Sequence, residues 1–194
     1  LAVLDADDFM IKDRAATLIN QAKEQGSDMI IDAYYLCREE TLKPYAVRSQ
    51  FSSEAVTPLN LIKHNLGSSK PLFSRRILEC GDLVYDTGLR YGEDIELMFR
   101  LLSSGYTCAF VEEPKYLKVT TSTSLTAGRL PMMSAVLALY TSFLTDYGSN
   151  NEVLSRQLSR AIVFQNDSLA FHELLDHLRE KNLRRFFRSV ISRP

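Results

Sequence analysis

Apolar positions along the 194-residue chain change their period several times, and those changes divide it into elements. Leu1, Val3 and Leu4 make a short apolar run that ends in Asp5-Ala6-Asp7-Asp8. The run predicts a buried strand with carboxylates at its carboxyl end. Ile11, Ala15, Leu18, Ile19 and Ala22 recur at helical spacing and predict a helix over 11–24, stopped by Gly26. Residues 29–37 are rich in β-formers and predict a second strand. The polar stretch 39–54, broken by Lys43-Pro44, predicts a hairpin or loop.

Thr57-Pro58 opens a helix carrying Leu59, Leu61, Ile62 and Leu66, and Gly67 closes it; proline suits the first helical turn. Pro71-Leu72-Phe73 reads as a short extended piece, followed by a helix over 74–80 and a loop over 81–92. Ile95, Leu97, Met98, Leu101 and Leu102 predict a strong helix over 93–104, with Gly105 at its end. Residues 107–111 and 115–119 read as two strands. From Arg129 onward the pattern is helical throughout. Met133, Val136, Leu137, Tyr140, Phe143, Leu144 and Tyr147 line one face as far as Gly148, and further helices are expected over 154–164, 169–179 and 183–191. The alternation of strand and helix before this point defines an α/β class. The expected organisation is an α/β unit over 1–128 and a small helical region over 129–194. Because an apolar strand stands at the very start, the sequence is expected to open inside a domain whose earlier strands lie elsewhere.

Composition narrows the picture a little. The apolar fraction is 45% and the charged fraction 24%, as in an ordinary globular domain. A formal net charge of −1 supplies no general attraction to nucleic acid or to anionic lipid. Cys37, Cys80 and Cys108 are odd in number and lack C-x-x-C spacing, so reduced thiols in a cytoplasmic protein are expected. The longest apolar stretch, near 135–144, is too short to span a bilayer, and no secretory leader pattern is present.

Two acidic constellations are candidates for chemistry. Asp5, Asp7 and Asp8 crowd like charges into one strand-to-helix turn, which calls for a cation or dense hydrogen bonding. Mg²⁺ or Mn²⁺ suits oxygen ligands and bridges carboxylates to a diphosphate; the plainer reading is helix capping by aspartate. Glu93 and Asp94 open a helix, where the dipole favours acids without any function. An aspartate fixed there is also placed to accept a proton from a hydroxyl.

Leu4-Asp5-Ala6-Asp7-Asp8, Lys70-Pro71-Leu72-Phe73-Ser74-Arg75-Arg76, Gly81, Tyr85-Asp86 and Tyr91-Gly92-Glu93-Asp94-Ile95 follow one another along the chain in an informative order and spacing. That arrangement resembles the family-2 glycosyltransferases of the GT-A fold, over residues 1 to about 125. The resemblance implies an incomplete GT-A-like, nucleotide-diphospho-sugar transferase mixed sheet with helices, followed by the helical region. It implies that Asp5 and Asp7 hold a Mn²⁺ or Mg²⁺ ion and the diphosphate of a nucleotide-sugar donor, with Asp8 assisting. Asp94 would be the general base of an inverting transfer to a saccharide or lipid-linked acceptor, with Glu93 positioning that acceptor. Lys118 would meet the leaving phosphate; the alternative for Lys118 is a solvated lysine. Thr120 stands where the family often has a histidine ligand, a departure that weakens the case for an extra metal contact. The family's nucleoside-binding strands precede the aspartate cluster, so this chain alone is expected to bind donor weakly and not to turn over. Polysaccharide or related glycan synthesis is the expected setting.

Two other readings compete: a non-catalytic binding or assembly module, and a haloacid-dehalogenase-like phosphohydrolase. The latter fits Leu4-Asp5-Ala6-Asp7, but Phe9 stands where that family carries Thr or Val. His64, His172 and His177 do not form a metal set. Arg179, Lys181, Arg184, Arg185, Arg188 and Arg193, interleaved with Leu183, Phe186, Phe187, Val190 and Ile191, make the end of the chain basic and amphipathic. Such a tail either lies on the inner face of an anionic membrane or packs its aromatics onto the domain.

Overall fold

The computed structural model describes residues 1–48, 55–120 and 129–180. The chain divides into two compact units, Leu1–Ala127 and Gly128–Pro194.

The first unit is built on a mixed sheet. Strands β1 (Phe9–Met10), β2 (Met29–Arg38), β3 (Pro44–Arg48), β4 (Leu72–Phe73) and β5 (Cys108–Thr120) take the order β1-β5-β2-β3, with β4 also paired to β2. The central pair, β2 with β5, is parallel, and the remaining pairs are antiparallel. Met29, Ile30, Ile31, Asp32 and Ala33 are consecutively buried, as a central strand covered on both faces requires. Helix α1 (Arg14–Gln25) ends on Gly26, whose φ of 63° lies in the left-handed region where a side chain is disfavoured. Leu18 of α1 packs with Ile30, Leu72, Ala109 and Val111 in the core. Thr57 caps α2 (Pro58–Lys63) by accepting from the Asn60 N–H, followed by a 3-10 turn at Leu66–Ser68 and helix α3 (Arg75–Glu79). Helix α4 (Glu93–Ser103) buries Leu97, Met98, Phe99, Leu101 and Leu102.

Two expectations change in this unit. The run 1–4 makes one antiparallel bridge, Ala2 to Leu72, and leaves Leu1 and Leu4 exposed. With a bonded neighbour on one side only among the described residues, it has nothing to bury it. The two strands expected over 107–119 are one strand, β5, whose register against β2 slips between Asp32 and Tyr34. Glu112-Glu113-Pro114 bulge out at the slip, and the polar run that looked like a break is that bulge.

In the second unit, α5 (Arg129–Tyr147) packs against α6 (Glu152–Arg179). Met133, Leu139, Tyr140 and Phe143 of α5 and Leu154 and Leu158 of α6 are buried. The two helices expected over 154–179 form one continuous helix, because Gln165-Asn166-Asp167-Ser168 is polar but holds no glycine or proline. The expected helix over 183–191 and its basic tail lie outside the described residues. Among the described residues no helix is long and apolar enough to cross a membrane.

Candidate active site

The acidic turn is held by a strand that is distant in sequence. The Tyr116 hydroxyl donates to Asp8 Oδ2 at 2.7 Å and accepts the Asp5 N–H at 3.4 Å, while the Val119 N–H donates to Asp8 Oδ1 at 2.8 Å. Asp8 is thus buried with a hydrogen bond on each carboxylate oxygen. Burial pushes its pKa above the usual carboxylate range, and the charges of Asp5 and Asp7 add to the rise against the bonds from Tyr116 and Val119. Asp8 braces the turn, and in doing so turns Asp5 and Asp7 toward solvent, Asp5 half-buried and Asp7 exposed.

Lys70 joins this turn to the second acidic pair. Its ammonium lies 2.6 Å from Asp94 Oδ2 and 3.0 Å from Asp5 Oδ2, with only 7% of the side chain exposed. Burial opposes the charge, but the hydrogen bonds and charges of Asp94 and Asp5 outweigh it and hold the ammonium above the ordinary lysine range. The Tyr85 hydroxyl donates to Asp94 Oδ1 at 3.2 Å. Burial and the adjacent Asp94 charge push the Tyr85 pKa up to about 12, so it serves as a neutral donor.

Asp94 is the second residue of α4, which opens directly after Gly92, whose φ of 82° only glycine adopts at little cost. The 3-10 turn presses against the same helical turn. A Cβ on Gly67 would overlap the Ile95 side chain, so the close approach that seats Asp94 needs glycine there.

A second, dry network lies beneath. Arg14, fully buried, meets both oxygens of Asp32 through Nε at 3.2 and 3.1 Å and through a terminal nitrogen at 2.8 Å. The same terminal nitrogen donates to the Lys70 carbonyl, and the guanidinium sits 4.9 Å from the centroid of the Tyr116 ring. The Lys115 N–H also donates to Asp32, at 3.2 Å. One arginine therefore fixes the backbone of Lys70 and the ring that holds Asp8.

The expected site residues are thus distributed unevenly. Asp5 and Asp94 come together through Lys70, and Asp7 lies in the same turn as Asp5. Glu93 is half-buried beside Asp94, and its carboxylate makes no hydrogen bond or ion pair with the described residues. The Lys118 ammonium lies 5.9 Å from the Tyr34 ring centroid and, among the described residues, makes no ion pair with Asp5, Asp7 or Asp94. Thr120 shares a hydrogen bond with Tyr45 at 3.3 Å. Among the described residues no three His, Cys, Asp or Glu side chains converge as a metal cage. Asp7, which is exposed, and Asp5, whose Oδ2 is shared with Lys70, suit the other mode for Mg²⁺ or Mn²⁺, in which one or two carboxylates share the ion with substrate phosphates.

Sequence reading missed the connecting residues. Lys70 stands in the sequence pattern without an assigned role, and neither Arg14 nor Tyr116 is singled out there. A signal was present for Arg14, which shares a helix face with Leu18 and Ala22 at four-residue spacing. A charge on an apolar stripe calls for a buried partner.

The fold is the expected GT-A-like mixed α/β class. It is similar to that of S. aureus TarS, residues 1–349, in a crystal structure in complex with UDP. The TM-score is 0.57 at 16% identity, over 87% of this chain and 48% of that one. In sequence, the chain is 27% identical over 205 residues to the succinoglycan biosynthesis protein ExoO of Rhizobium meliloti (strain 1021). That alignment takes in all of this chain and 59% of ExoO, so the chain spans little more than half the length of its curated relative. No family model matches the chain.

Proposed function

We propose that this chain carries the acceptor side and the diphosphate-binding turn of a glycosyltransferase that moves a sugar from a nucleoside-diphosphate donor to a hydroxyl in glycan synthesis. One observation carries the reading: Asp94, fixed in the first turn of a helix, is tied by a single ammonium to Asp5 of the acidic turn. Similarity to UDP-bound TarS and to a succinoglycan biosynthesis protein supports this reading over a phosphohydrolase or a bare assembly module.

In the proposed reaction Asp94 accepts the proton of the acceptor hydroxyl as its oxygen bonds to the anomeric carbon. The bond from that carbon to the diphosphate oxygen breaks on the opposite face, and the nucleoside diphosphate departs with the electron pair. The product has inverted configuration. Asp7 and Asp5 would hold Mg²⁺ or Mn²⁺, which supplies charge neutralisation for the leaving diphosphate. Asp8 shapes the turn, and Lys70 and Tyr85 orient the base. Glu93 is proposed to orient the acceptor, and Lys118 is the further cation proposed to meet the leaving phosphate. The acceptor is a saccharide, free or lipid-linked, and the work is done at the cytoplasmic side.

The test is a donor panel with Mn²⁺ and the full-length protein, following the anomeric configuration of the first product by NMR. Transfer or slow donor hydrolysis with inversion is expected. Retention of configuration would contradict a single displacement by Asp94, and no turnover with any nucleotide-sugar would remove the transferase reading.

A further inference from the structure

We propose, resting on that transferase reading, that Lys70 is the positioning residue of the site: its ammonium fixes the Asp94 base and occupies Asp5 in competition with a divalent cation.

The geometry is specific to lysine. Two carboxylates from separate parts of the chain, the turn before β1 and the first turn of α4, approach one Nζ at 3.0 and 2.6 Å. A compact point charge with three donors can serve both, whereas the planar fork of arginine is matched to one carboxylate at a time. Nor is the lysine free to swing away. Its carbonyl accepts from buried Arg14, and Pro71 restricts residue 70 to extended backbone. The side chain is buried, and its ammonium lies within ion-pair distance of both acids.

This arrangement has two consequences that pull in opposite directions. Lys70 on Oδ2 and Tyr85 on Oδ1 hold the Asp94 carboxylate in one orientation. The same ammonium already neutralises Asp5, so a divalent cation arriving without phosphates must displace it from Oδ2. Donor phosphates bring anionic oxygens that can take over as partners of the ammonium. Lys70 thereby favours cation and donor together over the cation alone. A lysine that merely supported the fold would, on removal, weaken cation binding and catalysis alike. A lysine acting as described weakens catalysis and strengthens binding of the cation alone.

The experiment uses the full-length protein with Lys70→Met, which keeps the length of the stem, and Lys70→Arg, which keeps the charge. Donor turnover gives kcat and KM, and electron paramagnetic resonance of free Mn²⁺ gives cation affinity without nucleotide. For Lys70→Met, kcat is expected to fall about 30- to 100-fold with donor KM moving less than about threefold, while Mn²⁺ binds roughly tenfold tighter. Lys70→Arg is expected to lose about tenfold in kcat and keep the parent's Mn²⁺ affinity. A kcat within about threefold of the parent in Lys70→Met, or Mn²⁺ affinity that is unchanged or weaker, overturns the proposal. Should Lys70→Met not fold, Lys70→Arg decides: parental kcat overturns the positioning role, and the tenfold loss with affinity kept supports it. If the parent itself turns over no donor, the transferase reading fails, and the Mn²⁺ measurement still reports on the competition at Asp5.

Discussion

Arg14 and Lys70 are both buried cations facing carboxylates, yet their surroundings differ. Arg14 and Asp32 are 0% and 1% exposed and spend their hydrogen bonds on protein groups. Lys70 is 7% exposed, but its partners Asp94 and Asp5 are 16% and 40% exposed, so one side of that cluster meets solvent. The closed pair is scaffolding, because nothing outside the protein can reach it. The open pair keeps carboxylate lone pairs for an outside group, and that is where chemistry is possible. Since Arg14 also holds the Lys70 carbonyl, the first network sets the position of the second.

The contrast breaks most visibly on the closed side. Arg14→Met or Asp32→Asn leaves the other member's charge buried without its counter-ion and is expected to cost about 3–5 kcal/mol in urea unfolding. Replacing both with apolar residues of similar volume should recover most of that loss; recovery of none would mean the pair is not an isolated unit. Gly67→Ala should cost about 1–3 kcal/mol by overpacking against Ile95, and should recover in part when Ile95 is shortened to Ala. An unchanged unfolding midpoint would show that the turn does not press on α4.

Smaller effects sharpen the picture at the acidic turn. Tyr116→Phe removes the donor to Asp8 and should destabilise by about 1–2 kcal/mol in the same measurement. The smallest effect concerns pH. Asp8 holds its proton more tightly folded than unfolded, so its contribution favours folding below the ordinary carboxylate value of 3.8 and is lost as pH rises through the raised folded value. Asp8→Asn removes that dependence. Its stability relative to the parent should therefore be greatest at neutral pH and shrink as pH falls toward about 4. A relative stability that grows on acidification would show that Asp8 is held as a favoured carboxylate.

What could be read from the sequence follows from which forces are local. Helix α4, its opening Glu93-Asp94 and its apolar face are set by neighbours within a few residues, and so are β2 and the glycine stop of α1. The bulge in β5 was misread as a break because the sequence shows polarity there but not the partner strand. The continuous α6 is expected from the sequence as two helices, although the polar patch between them holds no glycine or proline. Asp5, Asp7, Asp8, Glu93 and Asp94 are singled out in the sequence by their clustering at the end of an apolar run and the start of a helix. Their connections are not legible there, because Lys70 meets Asp5 and Asp94, and Tyr116 meets Asp8, across separations that no local period encodes.

The central claim is that Asp94 is the base of a sugar transfer, and the direct test separates binding from turnover. UDP binding with Mn²⁺ and donor turnover are measured for the full-length protein and for Asp94→Asn. The account predicts that kcat falls by about 10²- to 10⁴-fold while UDP affinity stays within about threefold of the parent. Turnover that survives the substitution at the parental rate would contradict it.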